Sequence, residues 1–291
     1  MKLEGVFVPM ITPSTRDGGV DTQALAKLAE HFIAQGVTCL IACGTTGEYY
    51  AFTEEERRQV METIAAVGKG RVSLVAGISA FSTQGSIERA KQAEELGYDG
   101  LMLTAPPYCL PSQDGVITHF REVAAATPLP IIMYNFPDRV GVDLEFDTVV
   151  ELAKVPNIVG IKESSGDFGR ALALIQAKLP DFEVVCGCDE QAADFLFWGV
   201  RAWISGSANV FPAEQVAMIE AAKAGRLDEV RDLLSAMYPV IHDMESSDFN
   251  QKAKLAAKRH GIEPGEIRRP LAPLTAGQAQ AFQQLLDAYK H

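Results

Sequence analysis

Residues 129–163 read LPIIMYNFPDRVGVDLEFDTVVELAKVPNIVGIKE. Two runs within them, LPIIMYN (129–135) and NIVGIKE (157–163), are short, rich in β-branched residues and apolar on both faces of an extended chain. That is the pattern of parallel strands buried on both sides. Six similar runs lie outward of these: GVFVPMI (5–11), VTCLIAC (37–43), RVSLVAGI (71–78), GLMLTA (100–105), FEVVCGC (182–188) and RAWISGS (201–207). Between them lie amphipathic stretches with helix signals. Asp21 precedes TQALAKLAEHFIAQG, which Gly36 closes. Thr53 and Glu56 form a capping-box pattern, and Ser82 and Ser86 precede IERAKQAEELG, closed by Gly97. Eight strand–helix alternations without a break predict the α/β class, a (β/α)8 TIM barrel. An open doubly wound sheet also alternates, but no strand–GxGxxG–helix unit opens this chain. Polar residues instead gather just after the strands, as the rim of a barrel requires. The barrel is expected over residues 1–225. Residues 226–291 are expected to form a C-terminal helical extension packed on it, broken by RRPLAPLT (268–275) before a last helix.

The 291 residues carry a net charge of −12, with 47% apolar and 22% charged residues. This is the balance of a soluble protein with a core. It is the wrong sign for a nucleic-acid surface, where phosphates must meet clustered Lys and Arg. No run approaches the roughly 20 apolar residues of a membrane span, so no membrane partner is expected. The N-terminal MKLEGVFVPMI reads as a first strand rather than a signal peptide. The five cysteines, Cys39, Cys43, Cys109, Cys186 and Cys188, form no CxxC pair, and the histidines show no HxH or HExxH spacing. Buried strand thiols in a reducing, cytoplasmic compartment are expected, with no metal site.

Four predicted strand ends carry groups that suit chemistry: GTTGE (44–48), YNFPDR (134–139), IKES (161–164) and GCDE (187–190). In a barrel these ends converge on one mouth. Lys162 is the most informative. An isolated ammonium is costly in a strand buried on both faces, and burial favours the neutral amine that attacks a ketone. The same position also suits a lysine that reaches solvent or pairs with Glu163. Tyr134, at the end of the preceding strand, suits proton transfer during imine formation, and equally an ordinary rim aromatic. Thr45 and Thr46 after Gly44 suit a small carboxylate and a proton relay, or a turn satisfied by its own side chains. Arg139 suits a bidentate grip on a carboxylate, or a solvated loop. CGCDEQ and SGSANVFP offer no clear phosphate nest, which argues against pyridoxal phosphate as the partner of Lys162.

GTTGE, YNFPDR, GIKESSGD and the GCDE–ISGSANV stretch, in order from about residue 4 to 212, together resemble the dihydrodipicolinate synthase/N-acetylneuraminate lyase superfamily. The resemblance implies that Lys162 forms an imine with pyruvate, with no separate cofactor, and that Tyr134 is the proton donor and acceptor. It implies that Thr46 binds the pyruvate carboxylate and that Thr45 links Tyr134 to Tyr108 of a second copy across a tight dimer interface. Arg139 matches the arginine that binds the acceptor carboxylate in the synthase branch, and the backbone around Gly187 and Ile204 lines the pocket. The expected partners are therefore pyruvate and an aldehyde acceptor, L-aspartate-4-semialdehyde, in a homotetramer or homodimer. Asp189 and Glu190 are similar to acids that contact substrate hydroxyls in the sugar-acid lyases. That keeps a 2-keto-3-deoxy sugar acid or hydroxy-oxo acid aldolase, a dehydratase or a deaminase as the alternative. A catalytically silent metabolite-binding barrel is the third reading, opposed by an intact nucleophile and relay. Phe81 stands where synthases often carry an asparagine that contributes to lysine feedback, implying an enzyme without that control.

Overall fold

The computed structural model describes residues 1–289. Eight strands appear, one in each predicted run: β1 Gly5–Pro9, β2 Cys39–Ala42, β3 Ser73–Gly77, β4 Gly100–Thr104, β5 Ile131–Asn135, β6 Ile158–Glu163, β7 Glu183–Cys186 and β8 Ala202–Ile204. They follow one another as a closed barrel in sequence order. By packing, the chain divides into two compact units.

The first unit comprises Met1–Glu4 and Ser73–Ile204, with β3 to β8. Its strands pair in parallel with successive neighbours, for example Leu101 with Ile131 and Ile161 with Val184. The helices are α3 Thr83–Glu95, α4 Gln113–Ala125, α5 Pro137–Val140, α6 Phe146–Leu152, α7 Phe168–Ala177 and α8 Ala192–Phe197. Ser82 caps α3 by accepting the Gly85 N–H, as its sequence signal predicts, whereas Ser86 lies inside that helix and is buried. Ahead of β6, the Asn157 amide donates to the carbonyls of Ala124, Thr127 and Leu129. These bonds satisfy backbone acceptors at the end of α4 and fix where β6 starts.

The second unit comprises Gly5–Val72 and the chain from Ser205 onward. It contains the β1–β2 pair, α1 Thr22–Ala34 and α2 Glu54–Gly68. It also holds α9 Pro212–Lys223, α10 Leu227–Ser246, α11 Phe249–Ala256 and α12 Ala276–Ala288. Asp21 caps α1, whose Leu25, Leu28, Ala29 and Phe32 form one buried stripe of helical period. The Thr53–Glu56 box forms in both directions at α2.

The strands are shorter than the apolar runs at β7 and β8. FEVVCGC leaves the ladder after Cys186, and RAWISGS leaves it after Ile204 for a single turn of 3₁₀ helix at Ser207–Asn209. The expectation of buried strand thiols is corrected at three positions. Cys39 and Cys186 are buried on strands, but Cys43 is buried just past the end of β2, Cys109 is exposed in the loop after β4 and Cys188 is half-buried beyond β7. Cys109 leaves the core because its loop runs through residues of positive φ, Tyr108 and Leu110, that turn the chain outward.

Candidate active site

Strand β6 sorts its polar residues by alternation, since successive side chains face opposite sides. Lys162 lies in register beside Tyr134 on β5 and Val185 on β7; Glu163 lies beside Asn135 and Cys186. Lys162 is 6% exposed and Tyr134 5%. The Lys162 Nζ stands 4.1 Å from the centroid of the Tyr134 ring, where the negative face of the ring attracts a cation. Among the described residues Lys162 forms no ion pair.

The pairing of Lys162 with Glu163 that the sequence left open is not made. Glu163 is buried and accepts from Arg170 Nε at 3.0 Å, from the Asn135 amide at 3.1 Å and from the Ser165 N–H at 2.8 Å. The Asn135 amide also donates to Asp143 at 2.7 Å, and its carbonyl oxygen accepts the Leu144 N–H at 3.0 Å. Arg170 donates to the Leu144 carbonyl as well. This knot ties residues 143 and 144 back to β5 and β6, and so closes the segment that carries Arg139 on α5. Reasoning from sequence missed Asn135, Asp143 and Arg170. The available signal was period two: Asn135 follows Tyr134 and Glu163 follows Lys162 in strands apolar on both faces, so each must find a buried partner.

The turn after β7 approaches Lys162 closely. A Cβ built on Gly187 would lie 2.8 Å from Lys162 Cγ and 2.1 Å from Ser164 Oγ, so only glycine fits. Ser164 Oγ donates to the Gly187 carbonyl at 2.9 Å, and Ile204 is fully buried at the end of β8. Asp189 is buried with Oδ1 accepting from the Trp203 indole at 2.9 Å. This bond satisfies an indole that the core encloses. Glu190 is half-buried.

Arg139 is exposed, its guanidinium carbon 5.7 Å from the Phe136 ring, which in turn tilts against Tyr134 at 5.7 Å. Tyr108 is 91% exposed with φ of 73°, a conformation uncommon outside glycine. Leu110 and Phe81 are also exposed. Thr45 and Thr46 belong to the second unit, in the turn that follows β2. There the Gly47 N–H donates to Gly44 and the Glu48 N–H donates to Thr45. Thr46 is buried and Thr45 half-buried. Tyr50, in the turn of 3₁₀ helix that follows, accepts from Asn250 Nδ2 at 3.0 Å.

The chain matches the model of the dihydrodipicolinate synthetase family over residues 2–289. It is 37% identical over 273 residues to the 4-hydroxy-tetrahydrodipicolinate synthase of an Exiguobacterium species, covering 94% of this chain and 93% of the relative. It is 34% identical to that of Oceanobacillus iheyensis, over 100% of this chain and 99% of the relative. Among solved structures, a dihydrodipicolinate synthase from Bacillus anthracis superposes with a TM-score of 0.96 at 32% identity, over 100% of both chains. The chloride-inhibited dihydrodipicolinate synthase of Acinetobacter baumannii complexed with pyruvate gives 0.95 at 36% identity, over 98% of each chain. On the full-length match, the shared barrel and these identities, the chain belongs to the dihydrodipicolinate synthetase family.

Proposed function

We propose that this chain is a lysine-imine lyase of the 4-hydroxy-tetrahydrodipicolinate synthase type, condensing pyruvate with L-aspartate-4-semialdehyde. The observation that carries the reading is Lys162: buried on a strand, paired with no carboxylate among the described residues, with its amine against the face of Tyr134. Family membership and the names of relatives at 32–37% identity support the choice of substrates.

In this scheme the Lys162 amine adds to the C2 carbonyl of pyruvate. The carbinolamine then loses water to give the imine. Removal of a methyl proton yields the enamine, whose carbon attacks the aldehyde of the acceptor. Tyr134 moves the protons between nitrogen, hydroxyl and carbon. Thr46 holds the pyruvate carboxylate, Thr45 and Tyr108 of a second copy extend the relay, and Arg139 takes the acceptor carboxylate. Gly187 and Ile204 supply backbone to the pocket.

The exposure of Tyr108 and Leu110 on a loop of positive φ supports a homodimer or homotetramer in which a neighbour covers them. A cytoplasmic enzyme without a nucleic-acid or membrane partner, without a separate cofactor and without lysine feedback completes the reading; the charge of −12 supports the first of these exclusions.

Steady-state assay of pyruvate with aspartate semialdehyde tests it. Arg139→Ala is expected to raise the KM for the semialdehyde about 10- to 100-fold and to leave that for pyruvate near its original value. Turnover with a 2-keto-3-deoxy sugar acid and none with the semialdehyde would move the assignment to the aldolase branch. Asp189 is the weaker candidate for that chemistry, because one of its oxygens serves Trp203.

A further inference from the structure

Thr45 and Thr46, proposed to meet the substrate, sit in the turn after β2. The turn is not held by β2 alone. Glu48 sits in the left-handed region with φ of 63°, a conformation that costs a non-glycine residue energy and persists only where its surroundings enforce it. Both oxygens of its carboxylate are engaged from the C-terminal part of the chain. Oε1 accepts from Lys254 Nζ at 2.8 Å and Oε2 from the Arg268 N–H at 2.6 Å. Glu48 is 1% and Lys254 2% exposed. Lys254 also donates to the Glu266 carbonyl at 2.6 Å.

One helical turn before Lys254, Asn250 reaches the same loop. Its Nδ2 donates to the Thr45 carbonyl at 2.9 Å and to the Tyr50 hydroxyl at 3.0 Å, which uses both amide hydrogens. Asn250 is itself buried. Its neighbour Phe249 packs so closely that a Cβ on Gly206 would lie 2.5 Å from the ring, while Thr46 Oγ1 lies 3.4 Å from the same point. Helix α11 thus touches the GTTGE turn through an ion pair and a forked amide, while Phe249 packs on Gly206 beside Thr46.

We propose that Asn250 is a positioning residue for the substrate-binding turn, and that α11 acts as a latch setting the Thr45–Thr46 geometry from behind. The inference rests on the proposed role of Thr46 toward a 2-oxo acid carboxylate. A buried ion pair is seldom retained for stability alone, and this one fixes a strained residue two places from Thr46. Asn250 then sets the direction of the Thr45 carbonyl, and with it the direction of the Thr46 N–H and side chain that follow in the same turn.

The test is borohydride trapping of pyruvate, titrated in wild type, Asn250→Ala and Asn250→Asp, alongside hydrogen exchange of the 44–50 segment without substrate. The aspartate variant keeps the shape and removes the donor, and it serves if the alanine variant does not fold. Half-saturating pyruvate is expected to rise about tenfold in either, the scale of a buried polar group left unsatisfied. The adduct formed at saturation should be retained, and exchange at 44–50 should quicken. Tyr50→Phe, which leaves the bond to Thr45 in place, should move half-saturation less than threefold. Thr275→Ala, which removes the cap of α12, controls for lost stability and should not move it at all. Unchanged half-saturation and unchanged exchange in folded Asn250 variants would overturn the latch. Absence of any adduct in wild type would instead remove the functional reading, and the exchange comparison would still decide whether α11 holds the turn.

Discussion

Strand β6 buries Lys162 and helix α11 buries Lys254, and the two are treated oppositely. Lys254 is held by Glu48 and by a backbone carbonyl, so its charge is answered and two of its three protons are bound. Among the described residues Lys162 has no carboxylate partner, and its amine stands against the face of an aromatic ring. An amine kept out of water and out of ion pairs is costly to the fold. It is also the form of lysine that can give up a proton and attack a carbonyl. Ionic pairing suits a lysine that organises structure, and an amine without a carboxylate suits the chemistry proposed for Lys162.

The contrast is sharpest in substitutions. Lys162→Ala should abolish condensation and pyruvate trapping, by more than about 10³-fold, while thermal unfolding shows a protein at least as stable as wild type. Lys254→Met should do the reverse in kind. It strands a buried carboxylate and should cost about 3–5 kcal/mol in denaturant unfolding. The double variant Glu48→Gln, Lys254→Met should recover part of that loss. If Lys254→Met instead eliminated the adduct outright in a folded protein, the division of labour between the two lysines would be wrong.

A smaller effect follows from proton linkage. Burial holds the Lys254 pKa below the usual lysine value of 10.5, against the opposing pull of Glu48. Between that lowered value and 10.5 the folded chain has released a proton that the unfolded chain still binds. Stability contributed by this residue therefore rises with pH across the window. Wild type should gain on Lys254→Met as pH approaches 10.5, read as a widening gap in unfolding midpoints. A gap that moves the other way would contradict the desolvation of Lys254.

The two regions also differ in how far the sequence disclosed them. β6 was readable because its neighbours are apolar on both faces, so a lysine at position 162 stands out against a period-two pattern. Its partner Tyr134 follows from the same register one strand earlier. The eight strands and the caps at Asp21, Thr53 and Ser82 were legible for equally local reasons. α11 was not readable in this way. Lys252 and Lys254 sit in NQKAKLAAKRHG, a polar-looking helical stretch, yet both are buried. The residue that buries Lys254 lies 206 positions away at Glu48. Asn250 is hidden for the same reason, since its acceptors Thr45 and Tyr50 are brought to it only by the fold. Glu163 was an intermediate case. Its proximity to Lys162 in sequence suggested a pair, and the pleat of the strand turned it instead to Arg170. Local pattern carries strands, caps and a conspicuous buried lysine; long-range polar pairing needs the tertiary structure.

The central claim is that Lys162 is a nucleophile. Reduction with borohydride in the presence of pyruvate, followed by intact-mass measurement and peptide mapping, tests it most directly. The account predicts one stable pyruvyl adduct per chain, located on Lys162 and missing from Lys162→Ala. A folded wild-type protein that gains no mass with pyruvate, or an adduct mapped to Lys254 or another lysine, would contradict it.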